Sequence, residues 1–178
     1  QTAMVHFYNN NIDSSKDWLK LVEANIQNEN NNQIEKEYFQ LIFLMSLEEG
    51  RYEINFENFL NTFNDFEIDQ DNLKFLELYL TTLEYIGFDI PVNLWEMTAK
   101  KEKDQRTIPS IYIMKLIKES AENNLLGNLL LNIAISMEDN NWHDIHPQHV
   151  GLIFDNLKII KEEKIIKDLA IEILKDTI

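Results

Sequence analysis

Glu162–Asp176 reads EEKIIKDLAIEILKD. Ile166, Leu169, Ala170, Ile173 and Leu174 stand at i, i+3, i+4, i+7 and i+8, the spacing that lines one side of an α-helix. Most of the other positions are Lys, Glu and Asp, so this helix has one face for a core and one for water. Upstream, Leu125–Met137 reads LLGNLLLNIAISM and is the most apolar helical stretch of the chain. A helix apolar all round is expected to be the most deeply buried. Gly127 and Ala134 within it are small enough to admit a close helix neighbour. Between the two, His146-Pro147 opens a helix carrying Val150, Ile153, Phe154 and Leu157, with Pro suited to a first helical turn.

The same grammar extends towards the N-terminus. Helices are expected from about Asp13, over 33–49 with Gly50 just past the end, from about Asn55, over 70–86 with Gly87 closing it, after Asp89-Ile90-Pro91, and after Thr107-Ile108-Pro109. Residues 1–11 lack periodicity and read as a flexible arm. Residues 12–178 read as a single all-α domain. Only 4 glycines and 3 prolines punctuate 178 residues, too few for the turns of an all-β fold. Gly50 and Gly87 lie 37 residues apart (87 − 50), each between an apolar helix and a shorter one. Such periods point to stacked antiparallel helical hairpins, a short TPR-like α-solenoid. The alternative is an irregular helical bundle, which gives the same local order.

The net charge is −15, and residues 1–99, with 5 basic and 18 acidic side chains, carry most of it. Acidic surface repels phosphate, so nucleic acid is not an expected partner, and a basic protein or peptide is. No apolar run reaches the ~18 residues of a membrane span. There is no cysteine, which removes disulfides, thiolate metal sites and cysteine catalysis and leaves cytoplasm and periplasm open. The chain begins at Gln1, as a mature form or a piece of a longer protein does.

One polar constellation stands out, Trp142-His143-Asp144-Ile145-His146-Pro147-Gln148-His149. Imidazole and carboxylate ligate Zn²⁺, Ni²⁺ or Cu²⁺, which makes His143, Asp144, His146 and His149 the metal-ligand candidates. A histidine every third residue across a proline-started helix does not share one face, however. The simpler reading has Asp144 or His146 capping the helix, Pro147 in its first turn and Trp142 packed on a neighbouring hairpin. The alternating acids Asp65, Glu67, Asp69 and Asp71 lack the glycine and the twelfth-position glutamate of a calcium loop. Lys100, Lys101, Lys103 and Arg106, offset by Glu102 and Asp104, read as solvated surface. No nucleophile–base signature or phosphate loop is present, so no catalytic residue and no cofactor is implied. Among the aromatics, Phe56, Phe59, Phe63, Tyr79 and Trp95 are the candidates to line a groove for a basic helix or peptide.

Gly127–Ile135, Asp144-Ile145-His146-Pro147, Val150, Leu157 and Ile165–Leu174 together resemble the C-terminal end of a group of poorly characterised alphaproteobacterial helical-repeat proteins. That group carries an LLL-rich helix, an HP helix start and a closing helix rich in Ala, Leu and Glu. The resemblance covers about the last 50 residues, and the chain departs from the group by carrying Asn, Ile and Lys in place of Ala, Gly and Arg. It implies a bacterial helical-repeat scaffold, exported, forming the end of a longer chain, and it supplies no catalytic residue. The expected function is a non-catalytic protein–protein interaction or scaffold module. The alternative is a small-molecule- or metal-binding helical bundle.

Overall fold

The computed structural model describes residues 2–9, 11–26, 32–50, 70–99 and 104–176. The protein is all-α, with no strand among these residues. It divides into two compact units, residues 1–67 and 68–177.

In the first unit, α1 (Thr2–Tyr8) packs on α2 (Ile12–Ile26), and α2 on α3 (Asn32–Glu48). Within the expected arm, Thr2–Tyr8 forms a helix with Ala3 and Phe7 buried. Four residues apart, these two share one face. The Ser15 hydroxyl donates to the Ala3 carbonyl at 2.8 Å and lies 3.7 Å from Met45 Sδ. One short side chain thus ties α2 to both neighbours. Leu41, Phe43, Leu44 and Leu47 of α3 are buried. Gly50 follows at φ +73°, the left-handed conformation that ends a helix at little cost for glycine.

The second unit contains α4 (Gln70–Tyr85), α5 (Val92–Thr98), α6 (Ile111–Glu122), α7 (Leu126–Met137), a 3₁₀ turn at Trp142–Asp144, α8 (Pro147–Ile160) and α9 (Glu163–Asp176). Helix α8 is its centre and packs against α4, α6 and α9. Ile117, Leu129, Ile133, Trp142, Ile145, Val150, Ile153, Phe154, Leu157, Ala170 and Ile173 form one continuous core. Helix α4 also packs on α9, so these helices do not meet only their sequence neighbours as consecutive solenoid repeats do. The unit is an all-helical assembly in which α8 is packed by helices both near and far from it in sequence.

Of the glycines, Gly151 is the one held against a neighbour. A Cβ there would lie 2.6 Å from Tyr85 Oη and 3.0 Å from its Cζ. Tyr85 lies across α8 at this point, stacked on Phe154 with ring centroids 5.6 Å apart. Gly127, read as a close-approach position, has nothing within 4 Å of a built Cβ. Helix α7 also departs from its reading as the most buried helix. Leu129, Ile133 and Ser136 face inwards, while Leu130, Leu131 and Ile135 are 38%, 60% and 48% exposed.

Candidate functional site

The histidine constellation lies where two loops run side by side. Thr107 N–H donates to the Asp144 carbonyl at 2.8 Å, and His146 N–H to the Thr107 carbonyl at 3.1 Å. These two bonds form a single parallel bridge between Thr107 and Ile145. They fix residues 104–107 along the turn that leads into α8.

His146 is the N-cap of α8, with its Nδ1 accepting from Gln148 N–H at 3.1 Å and Pro147 following in the first turn. Its Nε2 lies 3.6 Å from Asp104 Oδ2. His143 turns the other way, with Nε2 3.4 Å from Asp144 Oδ2 and its ring 5.9 Å from that of Phe75. His149 points into the core, where its Nε2 is 2.8 Å from Ser136 Oγ. Trp142 is buried and donates from Nε1 to Glu172 at 3.2 Å. The three imidazoles therefore diverge. Among the described residues no group of three or more His, Cys, Asp or Glu side chains is placed to hold a metal ion.

Ser136 and His149 make a hydroxyl–imidazole contact that sequence spacing did not reveal, because it joins α7 to α8 across a turn. Ser136 Oγ also contacts the Ile133 carbonyl at 2.6 Å. A carbonyl only accepts, so the hydroxyl hydrogen goes there and His149 donates from Nε2. Among the described residues, buried His149 Nδ1 finds no hydrogen-bond partner. Burial pushes this imidazole down to about 4. Both side chains lie inside the core, so the contact ties α7 to α8 in the interior.

Arg106 is the residue whose role the sequence concealed. It was read as solvated surface, and its side chain is only 4% exposed. It pairs with Glu77 of α4 and with Asp104, donates from Nε to both Asp104 oxygens at 3.1 Å, and donates from Nη1 to the Lys74 carbonyl at 3.2 Å. The guanidinium holds the Asp104 carboxyl far below the usual carboxylate range. Burial opposes the charge on Arg106, and the hydrogen bonds to Asp104 and Glu77 outweigh it, so its pKa rises. Helical periodicity carries no signal for a pairing that joins Arg106 to a helix 29 residues upstream. Lys100, Lys101 and Lys103 lie outside the described residues.

Beside this hub is a cleft of about 490 Å³, lined by Lys74, Phe75, Gln105, Arg106, Thr107, Asn140, His143 and Asp144. Of the aromatic candidates, Tyr79 is 2% exposed and belongs to the interior, so it does not line a surface groove. Trp95 is half-buried on α5. Phe56, Phe59 and Phe63 lie outside the described residues.

A cluster of exposed apolar side chains lies elsewhere, on the α6/α7 hairpin. Helix α7 has no charged residue in its 12 positions. Its exposed side carries Gly127, Leu130, Leu131, Ala134 and Ile135, at the three- and four-residue intervals of one helix face. Ile111 and Tyr112, at the start of α6, are 70% and 67% exposed. No helix among the described residues is long and apolar enough to cross a membrane. No protein-family model, no curated protein and no solved structure matches the chain.

Proposed function

We propose that this chain is a non-catalytic protein-interaction module, a helical scaffold that binds through the outer face of α7. The observation that carries this reading is the charge-free helix with Leu130, Leu131 and Ile135 on its exposed side. Burying one such side chain is worth roughly 1.5–3 kcal/mol, and contiguous apolar surface of this kind marks interaction sites. The polar centre of the molecule supports it too: Arg106 is consumed by Glu77 and Asp104, and the buried imidazole of His149 serves the core. Its descent from helical repeats rests on the paired Gly50 and Gly87 helix ends and on the resemblance in the last 50 residues. The acidic N-terminal half favours basic partners.

The test is a paired pull-down from the native host with wild type and a Leu131→Glu variant. Proteins retained by the wild type and lost by the variant support the reading. Identical capture by both overturns it. The cleft beside Arg106 favours a second reading, a small-molecule site. A stabilising shift in melting temperature with a metabolite panel, abolished by Phe75→Ala, is the result that promotes it.

A further inference from the structure

Resting on the interaction-module reading, we infer that the partner of the α7 outer face is a second copy of this chain, joined to the first by an antiparallel, two-fold pairing of α7 with α7. Three observations converge on this occupant. The first is charge. Each chain carries −15, so most faces of two copies repel, whereas α7 contributes no charge over its whole length. A two-fold contact there brings no like charges of the helix together.

The second is shape. Laying two α7 helices antiparallel about their exposed sides can set Leu131 opposite the partner's Ala134 and Leu130 opposite the partner's Ile135. Leu131 then meets a small side chain nearest the two-fold axis, Leu130 and Ile135 pair as large apolar groups beside it, and Gly127, open on this side, lets the ends come close. The same register places Gly127 opposite the partner's Glu138.

The third is the complementarity of the two helix ends. The start of α7 has no acidic residue in its first turn, and its N-cap Leu125 makes no side-chain hydrogen bond. That end carries the partial positive charge of a helix N-terminus without a neutralising group. Its other end runs into Glu138 and Asp139, both exposed. Antiparallel pairing brings each copy's acidic end to the other's uncapped start, twice per dimer. A parallel pairing instead sets acids against acids.

A contact of one helix face with flanking residues falls below the ~1,200 Å² of a standard interface, so association is weak, with half-dimerisation at roughly 10–100 μM. Sedimentation equilibrium of the full chain across this range tests it. The expected result is a mass rising from 21.1 kDa towards twice that value. Leu131→Glu should weaken association at least tenfold, and Val92→Glu, at a still more exposed apolar site on α5, should leave it unchanged. Circular dichroism melts at low concentration show whether each variant is folded. Register is read by disulfides, since the chain has no cysteine of its own. Mixing Gly127→Cys and Glu138→Cys chains should give the mixed disulfide. Gly127→Cys alone should give none, because its two sulfurs would sit about 16 Å apart along the axis at 1.5 Å per residue. A monomer at every concentration, a dimer indifferent to Leu131→Glu, or Gly127→Cys homodimers would each overturn the inference. The paired pull-down tests the interaction-module reading separately, so a monomer removes self-pairing alone.

Discussion

Helices α7 and α8 follow one another in sequence and differ sharply in burial. Helix α7 is the more apolar, yet it buries three residues, while α8 buries eight, including His149, Asn156 and Gly151. Apolar content therefore does not rank the depth of these helices. What places α8 at the centre is a set of specific fits: Val150, Ile153, Phe154 and Leu157 along one face, with Gly151 under Tyr85 and His149 on Ser136 widening the buried arc beyond it. Helix α7 uses one side for the bundle and leaves the other unspent.

The sharpest way to break this comparison is to charge the two sides of α7 in turn. Ile133→Asp puts an unpaired carboxylate in the core at a cost of about 3–5 kcal/mol, comparable with a small domain's whole margin. The expected outcome is loss of the cooperative melt of the second unit. Leu131→Asp, one turn-face away, should stay within about 0.5 kcal/mol of wild type in dilute solution. Circular dichroism melts of the two proteins, side by side, decide it, and equal destabilisation would mean that α7 has no outer face.

The next effect belongs to α8 and depends on pH. In the unfolded chain His149 takes up a proton below about 6.5, whereas in the fold burial holds it neutral down to about 4. Between those values the unfolded state binds more protons, so stability falls as pH falls. The contribution is fully present above pH 6.5 and is lost progressively towards pH 4, amounting to at most about 3 kcal/mol. Denaturant titrations of wild type and His149→Gln across this window should show a steeper decline for the wild type. Parallel slopes would mean that the imidazole is protonated inside the fold.

A smaller pair of changes contrasts the two glycines. Gly151→Ala drives a methyl into Tyr85 and should destabilise by about 1–3 kcal/mol. Gly127→Ala meets nothing within 4 Å and should stabilise by up to about 1 kcal/mol through helix propensity. Thermal melts that rank them in the reverse order would place the tight contact on the wrong helix. The smallest effect is at the rim of α8, where Lys158 Nζ lies 4.8 Å from the centre of the Tyr85 ring. Lys158→Ala should cost about 0.5–1 kcal/mol, measurable as a shift in denaturant midpoint. A loss as large as that of Gly151→Ala would shift credit from the core to the rim.

Local features were legible in the sequence because they act over a few residues. The stripe Ile166, Leu169, Ala170, Ile173, Leu174, the glycines at helix ends, and His146-Pro147 as cap and first turn are all found in the fold. Helix α1 escaped notice because two anchors, Ala3 and Phe7, are too few to show a period, and its stability comes from α2. Burial of Arg106 was invisible because its partner Glu77 is distant in sequence, so a locally polar stretch looked solvated. The outer face of α7 was misjudged for the complementary reason. An all-apolar helix signals that both sides want cover, and it does not say whether this chain or another supplies it. The same holds for His149: its local position suggests an exposed first turn, and only the placement of Ser136 turns it inwards.

The parallel bridge between Thr107 and Ile145 has a further meaning for the architecture. From Thr107 the chain builds α6 and α7, which share the core of α8 through Ile117, Leu129 and Ile133, and returns to within one hydrogen bond of where it started. The α6/α7 hairpin is thus a cassette with its ends already closed. Changes in its tip at Asn123-Asn124, or in its outward residues, alter nothing at the points of attachment, because loop tips tolerate variation where no buried backbone depends on them. Selection can therefore rewrite the outer face of this cassette while Arg106 and His146 continue to hold its hinge-side ends in place.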